Sequence, residues 1–133
     1  MTAHTRLARP IVSSIRKALT RNALPEETEG LTSTGERDAA EFLATVGAKR
    51  KPGQVAIAIE SRGGEAGRRR MRIAMVNGDM PSLVDSVANA IAARQLTIHR
   101  LLHPVVCVER EKDGRLVSVE AVCGDVSRRE SLM

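Results

Sequence analysis

The stretch from residue 71 to residue 103 constrains the fold of this chain more than any other part of it. Its pattern predicts a strand, a tight polar turn, an amphipathic helix and a second strand. The turn runs from Asn77 to Pro81. Pro81 suits the first position of the helix, with Asp79 or Met80 at the cap. A strand–helix–strand unit of this kind indicates a small α+β module.

Two helices are predicted before this unit. Residues 1–25 carry apolar side chains at four-residue spacing and five basic residues before the first acid. This pattern is typical of a basic amphipathic helix that packs on the rest of the protein, or of a mitochondrial transit peptide. A linker containing Pro, Gly and Ser follows over residues 22–35. The second helix is predicted from Glu36 to Lys49, where Pro52 and the next glycine end it.

Four strands are predicted in all. Residues 55–60 and 72–76 indicate an antiparallel pair. Residues 97–110 read as a long strand interrupted by Pro104, and residues 116–122 return after a turn at Lys112-Asp113-Gly114. The final residues, 131–133, show no closing element. The predicted fold is therefore α+β, with two N-terminal helices followed by an antiparallel sheet.

Composition and charge limit the classes of partner. The formal net charge of +5 permits nucleic acid, and the basic run 68–70 makes a nucleic-acid-binding module one hypothesis. Phe42 is the only aromatic residue, so the chain lacks the rings on which single-strand binders stack bases. The two cysteines, Cys107 and Cys123, predict free thiols in a reducing cytoplasm. No apolar stretch approaches the ~18 residues of a membrane span.

The side chains that could carry chemistry do not form a convincing catalytic or metal site in the sequence. His99, His103, Cys107 and Cys123 suggest a metal, but four strand residues span roughly 13 Å, which prevents neighbours along a strand from sharing one zinc ion. The sequence has no Gly-x-Ser-x-Gly elbow and no Gly-x-Gly-x-x-Gly fingerprint. We therefore predict no catalytic residue, no metal and no cofactor in this chain.

The strand–turn–helix corner is the remaining candidate site. A glycine-containing turn before a helix exposes backbone N–H groups next to the positive end of the helix dipole, which suits a carboxylate. The predicted ligand-binding residues are Asn77, Gly78, Asp79, Met80, Pro81 and Ser82.

Two segments carry a family resemblance. The run RIAMVNGDMPSLVDSV over residues 72–87 and the run QLTIHRLLHP over residues 95–104 resemble the N-terminal ACT-like region of the large, bacterial-type NAD-specific glutamate dehydrogenases. The turn Asp113-Gly114-Arg115-Leu116 is also similar to that family. The resemblance is most specific over residues 71–116.

The resemblance implies a ferredoxin-like β-α-β-β-α-β fold, of which this chain holds an incomplete β-α-β-β unit. It implies a parent enzyme that oxidatively deaminates L-glutamate to 2-oxoglutarate with NAD bound outside this chain. The expected partners are the rest of the parent polypeptide, further copies in a homo-oligomer, and an amino-acid effector at the corner. We expect a cytoplasmic location and no membrane association, and nucleic acid is the least favoured of the partners.

The expected domain organisation is a basic helix and linker over residues 1–30 and a partial ACT-like domain, truncated at its C-terminus, over residues 31–133. Gly78 stands where the family has an acid, and Ser82 stands where many amino-acid-binding ACT modules have glycine. These departures favour a regulatory or assembly segment without catalytic residues. A stand-alone amino-acid sensor and a nucleic-acid-binding module are the alternatives.

Overall fold

The computed structural model of the chain describes residues 9–21, 25–63, 69–79, 82–122, 124 and 129–133. The helices are α1 (Arg9–Arg21), α2 (Pro25–Thr28), α3 (Ser33–Val46) and α4 (Leu83–Ala93). The strands are β1 (Ala56–Gly63), β2 (Arg69–Gly78), β3 (Val105–Arg110), β4 (Leu116–Glu120) and β5 (Arg129–Leu132). The predicted α+β class is confirmed. The boundary predicted at residue 30 stays a prediction.

Helix α3 begins three residues before the predicted Glu36 because Thr32 caps it. The Gly35 amide donates to the Thr32 hydroxyl at 3.0 Å, and the Glu36 amide donates to the Thr32 carbonyl at 2.8 Å. The predicted linker therefore includes the four-residue helix α2 and the first turn of α3.

The five strands form one sheet in the order β1-β2-β5-β3-β4, and every neighbouring pair is antiparallel. The predicted antiparallel pair β1–β2 and the hairpin β3–β4 are both confirmed. Because β5 is antiparallel to both of its neighbours, β2 and β3 run parallel to each other with one strand between them. The unit β2–α4–β3 is thus a split β-α-β arrangement, as in ferredoxin-like folds.

The last strand corrects the sequence prediction for the C-terminal residues. Residues 129–132 are not an unpaired end but form the central strand of the sheet. Leu132 pairs with Val76 of β2, and Ser131 pairs with both Asn77 of β2 and Val105 of β3. Without β5, the two hairpins of the sheet share no strand pairing in the described residues.

One face of the sheet packs on α1 and α3 and forms the core. The fully buried side chains include Ile15 of α1, Ala40 and Ala44 of α3, Val76 of β2 and Val106 of β3. Each of the two helices presents its apolar stripe to this face, as the spacing of the sequence predicts. The core is therefore built from aliphatic side chains.

The opposite face of the β1–β2 hairpin, called here the outer face, is apolar and exposed. Val55 is 46% exposed, Ile57 55%, Ile59 65% and Met71 56%. Ile57 pairs with Met75, and Ile59 pairs with Ile73, so these side chains lie on the same face of the sheet. Such a contiguous apolar patch is the usual mark of an interaction surface.

Helix α4 is also incompletely covered. None of its residues is buried, although it carries a wide apolar stripe. The members of that stripe are half-buried: Leu83, Val84, Val87, Ala88 and Ile91.

The predicted long strand over residues 97–110 is wrong in its first half. The strand begins only at Val105, and residues 96–100 are exposed and outside the sheet. Pro104 has no N–H to donate, and its carbonyl accepts the Leu132 amide at 2.9 Å. The proline therefore marks the start of the strand and not an interruption within it.

The turn between β3 and β4 depends on Gly114. Its φ is +93°, a conformation that L side chains rarely adopt. A Cβ at this position would lie 2.7 Å from the backbone C and O of Arg50. Glycine lets the turn approach the segment after α3, where the Arg50 amide donates to the Gly114 carbonyl at 3.0 Å.

Candidate functional site

The strand–helix corner differs in detail from its prediction. Asn77 and Gly78 belong to β2 and pair with β5, so they do not form part of the turn. Helix α4 begins at Leu83, and its N-cap is Ser82, which has a φ of 63° and makes no side-chain cap bond. The expected capping by Asp79 or Met80 is therefore wrong. Met80 and Pro81 lie outside the described residues.

Asp79 faces the sheet and not the helix. Its carboxylate accepts a hydrogen bond from the Ser131 hydroxyl at 2.8 Å and lies 3.7 Å from the guanidinium of Arg129. The Ser131 oxygen lies 3.0 Å from Nε2 of His103. Because the hydroxyl donates its only hydrogen bond to Asp79, it accepts one from His103 in the tautomer whose Nε2 is protonated. This Asp79 network joins the corner to β5 and to the segment before β3.

A second polar cluster holds β5 from the core side. The Glu130 carboxylate is nearly inaccessible and accepts from Arg50 at 2.7 Å and from Arg110 at 2.9 and 3.0 Å. The Nη1 of Arg50 donates to the Gln54 carbonyl, and the Nη1 of Arg110 donates to the Gly114 carbonyl, each at 2.7 Å. The hydrogen bonds of both arginines to Glu130 lower the pKa of that carboxyl below its ordinary range, although burial alone would raise it.

The comparison with protein families identifies the fold. The model of the family described as "Glutamate dehydrogenase, ACT1 domain" matches residues 15–133. The chain belongs to that family. The expected resemblance to the ACT-like region of a glutamate dehydrogenase is confirmed for this ACT1 domain. Neither the comparison with curated proteins nor that with solved structures gave a match.

The histidines and cysteines of the ACT1 domain serve no metal site in the described residues. No group of three or more metal-ligating side chains occurs within them. His103 contacts Ser131, and Cys107 is disulfide-bonded. The expectation of free thiols is therefore wrong for Cys107. The only other cysteine, Cys123, lies outside the described residues, as does Arg68 of the basic run.

A surface pocket of about 260 Å³ lies between α3 and β2. It is lined by Asp38, Glu41, Phe42, Thr45 and Arg72. Arg72 stacks on the Phe42 ring at 4.2 Å and donates to Glu60 at 2.9 Å, and the Thr45 hydroxyl donates to the Glu41 carbonyl at 2.9 Å. The pocket offers no activated nucleophile because its hydroxyl is bonded to the helix backbone. No helix in the described ranges is long and apolar enough to cross a membrane.

The Asp79 network predicts the cost of removing its carboxylate. We expect Asp79→Ala to lower the free energy of unfolding by about 1–3 kcal/mol, since Ser131, only 1% exposed, loses its acceptor. Asp85→Ala is the matched control, because Asp85 is an exposed acid in the first turn of α4. Urea denaturation of both variants measures the difference. Equal losses would show that the Asp79 network does not stabilise the domain.

Proposed function

We propose that this ACT1 domain is a non-catalytic regulatory and assembly segment of an NAD-dependent glutamate dehydrogenase, and that its outer face docks on the rest of that enzyme. The parent enzyme, a cytoplasmic protein, oxidatively deaminates L-glutamate to 2-oxoglutarate with NAD bound in other domains. The observation that carries the proposal is the exposure of four large apolar side chains on one hairpin face of a domain from this family.

The chemistry of the described residues supports a role outside catalysis. Asp79, His103 and Ser131 have the residue types of a catalytic triad, but the serine donates to the aspartate and is only 1% exposed. A nucleophilic serine must instead give its proton to the histidine. The trio therefore acts as a structural network that fastens β5.

The corner favours assembly over amino-acid sensing. A ligand carboxylate approaching the end of β2 would meet the Asp79 carboxylate, which already uses the Ser131 hydroxyl and lies beside Arg129. Two carboxylates in contact repel each other, and this repulsion disfavours binding of the ligand. Asn77 and Gly78 are also engaged with β5. An effector at this corner would have to displace Asp79 first.

The docking face can be tested by charge insertion. We expect Ile57→Lys and Ile59→Lys to leave the free energy of unfolding within about 0.5 kcal/mol, since both side chains are exposed. Each should weaken binding to the separately produced catalytic region of a glutamate dehydrogenase of this family by roughly tenfold or more, because an isoleucine loses about 1.5–3 kcal/mol of burial. Isothermal titration calorimetry measures the affinity.

Val117→Lys is the control for the outer face. Val117 is 47% exposed, but it lies on β4 at the other edge of the sheet. Its variant should bind like the unchanged domain. Equal weakening by all three lysines would point to a general charge effect and would remove the outer face as the docking surface. Absence of any binding would count against the assembly role itself.

A further inference from the structure

Cys107 lies at the level of the sheet where the chain leaves β4 and enters β5. On β3 it pairs with Glu120, the last residue of β4, and with Arg129, the first residue of β5. Because β3 lies between these two strands, their ends are two strand spacings apart, roughly 10 Å. Both ends of the connection between β4 and β5 are therefore next to one buried cysteine, which is only 2% exposed.

The disulfide of Cys107 ties this connection to β3. Cys107 is disulfide-bonded, and Cys123, the only other cysteine of the chain, belongs to the residues between β4 and β5. Disulfides are rare in reducing compartments, where those that occur are usually transient and serve catalysis or redox sensing. In the cytoplasmic, non-catalytic segment proposed above, on which this step rests, the bond is suited to redox sensing.

The disulfide lies beside the polar contacts that hold β5. Cys107 and Arg129 stand directly opposite each other, so their side chains share the face of the sheet to which Ser131 also points. The Arg129 carbonyl accepts the Asp79 amide at 3.2 Å, and the Ser131 hydroxyl donates to the Asp79 carboxylate at 2.8 Å. Strand β5 has four residues, of which only Leu132 is a buried apolar side chain. A strand with so little apolar burial depends strongly on a covalent tether at its start.

We propose that the disulfide of Cys107 is a reversible redox lock on β5, opened by small thiols of the glutathione class. Because Cys107 is buried, the incoming thiolate attacks the sulfur of Cys123, forms a mixed disulfide there and releases Cys107 as a thiolate. A second thiolate attacks the glutathione sulfur of the mixed disulfide, so that oxidised glutathione leaves and Cys123 is freed. The two protons of the glutathione thiols pass to the two cysteines, and two electrons reduce the bond. The reverse exchange with oxidised glutathione closes the lock.

Opening the lock has a global and a local effect. The bond closes a loop of about 16 residues, and loss of a cross-link of this length raises the unfolding equilibrium constant roughly a hundredfold. The local effect falls on β5 and on the Asp79 network, because the tether lies next to that strand. The redox state of the surroundings thereby sets how firmly the central strand is held, which gives the regulatory segment an input.

The lock can be tested on the full chain with dithiothreitol as the reductant. Thiol titration should count no free thiol before reduction and two after it. Two amides report on β5 in native-state hydrogen exchange: that of Leu132, which donates to Pro104, and that of Asp79, which donates to Arg129. Both should exchange roughly tenfold faster or more after reduction, whereas the amides that pair β1 with β2 should change less. Urea denaturation measures the hundredfold change in the unfolding constant.

Cys123→Ala is the matched variant because it removes the bond and leaves Cys107 in the sheet. Its two reporter amides should exchange at the fast rate with or without dithiothreitol. Oxidised glutathione in excess should restore slow exchange only in the reduced, unchanged chain. Two free thiols before reduction, equal acceleration at every amide, or a bond that excess reduced glutathione leaves intact would each overturn the lock. These measurements need no partner, so their outcome is independent of docking on the outer face.

Discussion

Replacing Glu130 by alanine is expected to lower the free energy of unfolding by about 3–5 kcal/mol. The change leaves Arg50 and Arg110 buried without their shared carboxylate, and an uncompensated buried charge is far more costly than a lost surface pair. The buried Nε of Arg50 has no acceptor among the described residues even when Glu130 is present. The site therefore offers no spare acceptor to replace the lost carboxylate. Urea denaturation followed by circular dichroism measures the loss.

Glu120→Ala is the matched control because Glu120 is an exposed acid on strand β4 of the same sheet. Its variant should stay within about 0.5 kcal/mol of the unchanged domain. A similar loss in both variants would show that the sheet is sensitive to any change at these strands. A loss below about 1 kcal/mol for Glu130→Ala would show that the two arginines find other acceptors when the carboxylate is absent.

The pH dependence gives a second readout of the same variant. Because the pKa of Glu130 in the folded domain is lowered from its ordinary value of 4.5, its contribution to stability is fully present above about pH 4.5. This contribution is lost as the pH falls through the folded-state pKa. The unchanged domain should therefore lose stability below pH 4.5 more steeply than Glu130→Ala. Parallel curves would contradict the proposed ionised cluster.

Gly114→Ala is expected to cost about 3 kcal/mol of unfolding free energy. Part of this loss is the left-handed backbone that the new residue would have to adopt at a φ of +93°. The larger part is overpacking, since the new Cβ would meet the Arg50 backbone at 2.7 Å. The measurement is the same urea titration. A shift of the Arg50 segment would also disturb its bond to Glu130.

Gly53→Ala separates the cost of a left-handed backbone from the cost of steric crowding by the new Cβ. Gly53 also has a positive φ, +79°, but a Cβ there would have no atom within 4 Å. Its replacement should therefore cost only about 1 kcal/mol, the backbone share of the effect. If Gly114→Ala were no more costly than Gly53→Ala, the close approach to Arg50 would be relieved without loss.

The elements with a regular apolar pattern could be predicted from the sequence. Helices α1 and α3 bury stripes with helical spacing, and residues 55–59 carry β-branched side chains at every second position. The turn at Gly114 followed from its residue types. This alternation did not reveal, however, that Val55, Ile57 and Ile59 would face solvent, because the pattern is the same for a covered and an uncovered face.

Strand β5 could not be predicted, because its residues Arg129 to Leu132 carry no apolar periodicity. Glu130 and Ser131 are buried only through partners far away in the sequence, namely Arg50, Arg110 and Asp79. Burial of a polar side chain by partners that are distant in the sequence leaves no local pattern from which a strand could be predicted. The sequence predicted a strand followed by a helix around this corner, but the engagement of Asp79 with β5 depends on the same distant strand, and the prediction of Asp79 as a helix cap was therefore wrong.

The position of β5 also sets the order in which the domain can fold. The hairpins β1–β2 and β3–β4 form from neighbouring residues, whereas the pairing of Val76 with Leu132 must close a long loop of chain. Pairings at such separations slow folding, and during synthesis the sheet stays in two halves until Leu132 leaves the ribosome. In that interval β2 and β3 present unpaired edges next to an apolar face. Until β5 closes the sheet, these two edges are open to pairing with other extended chains.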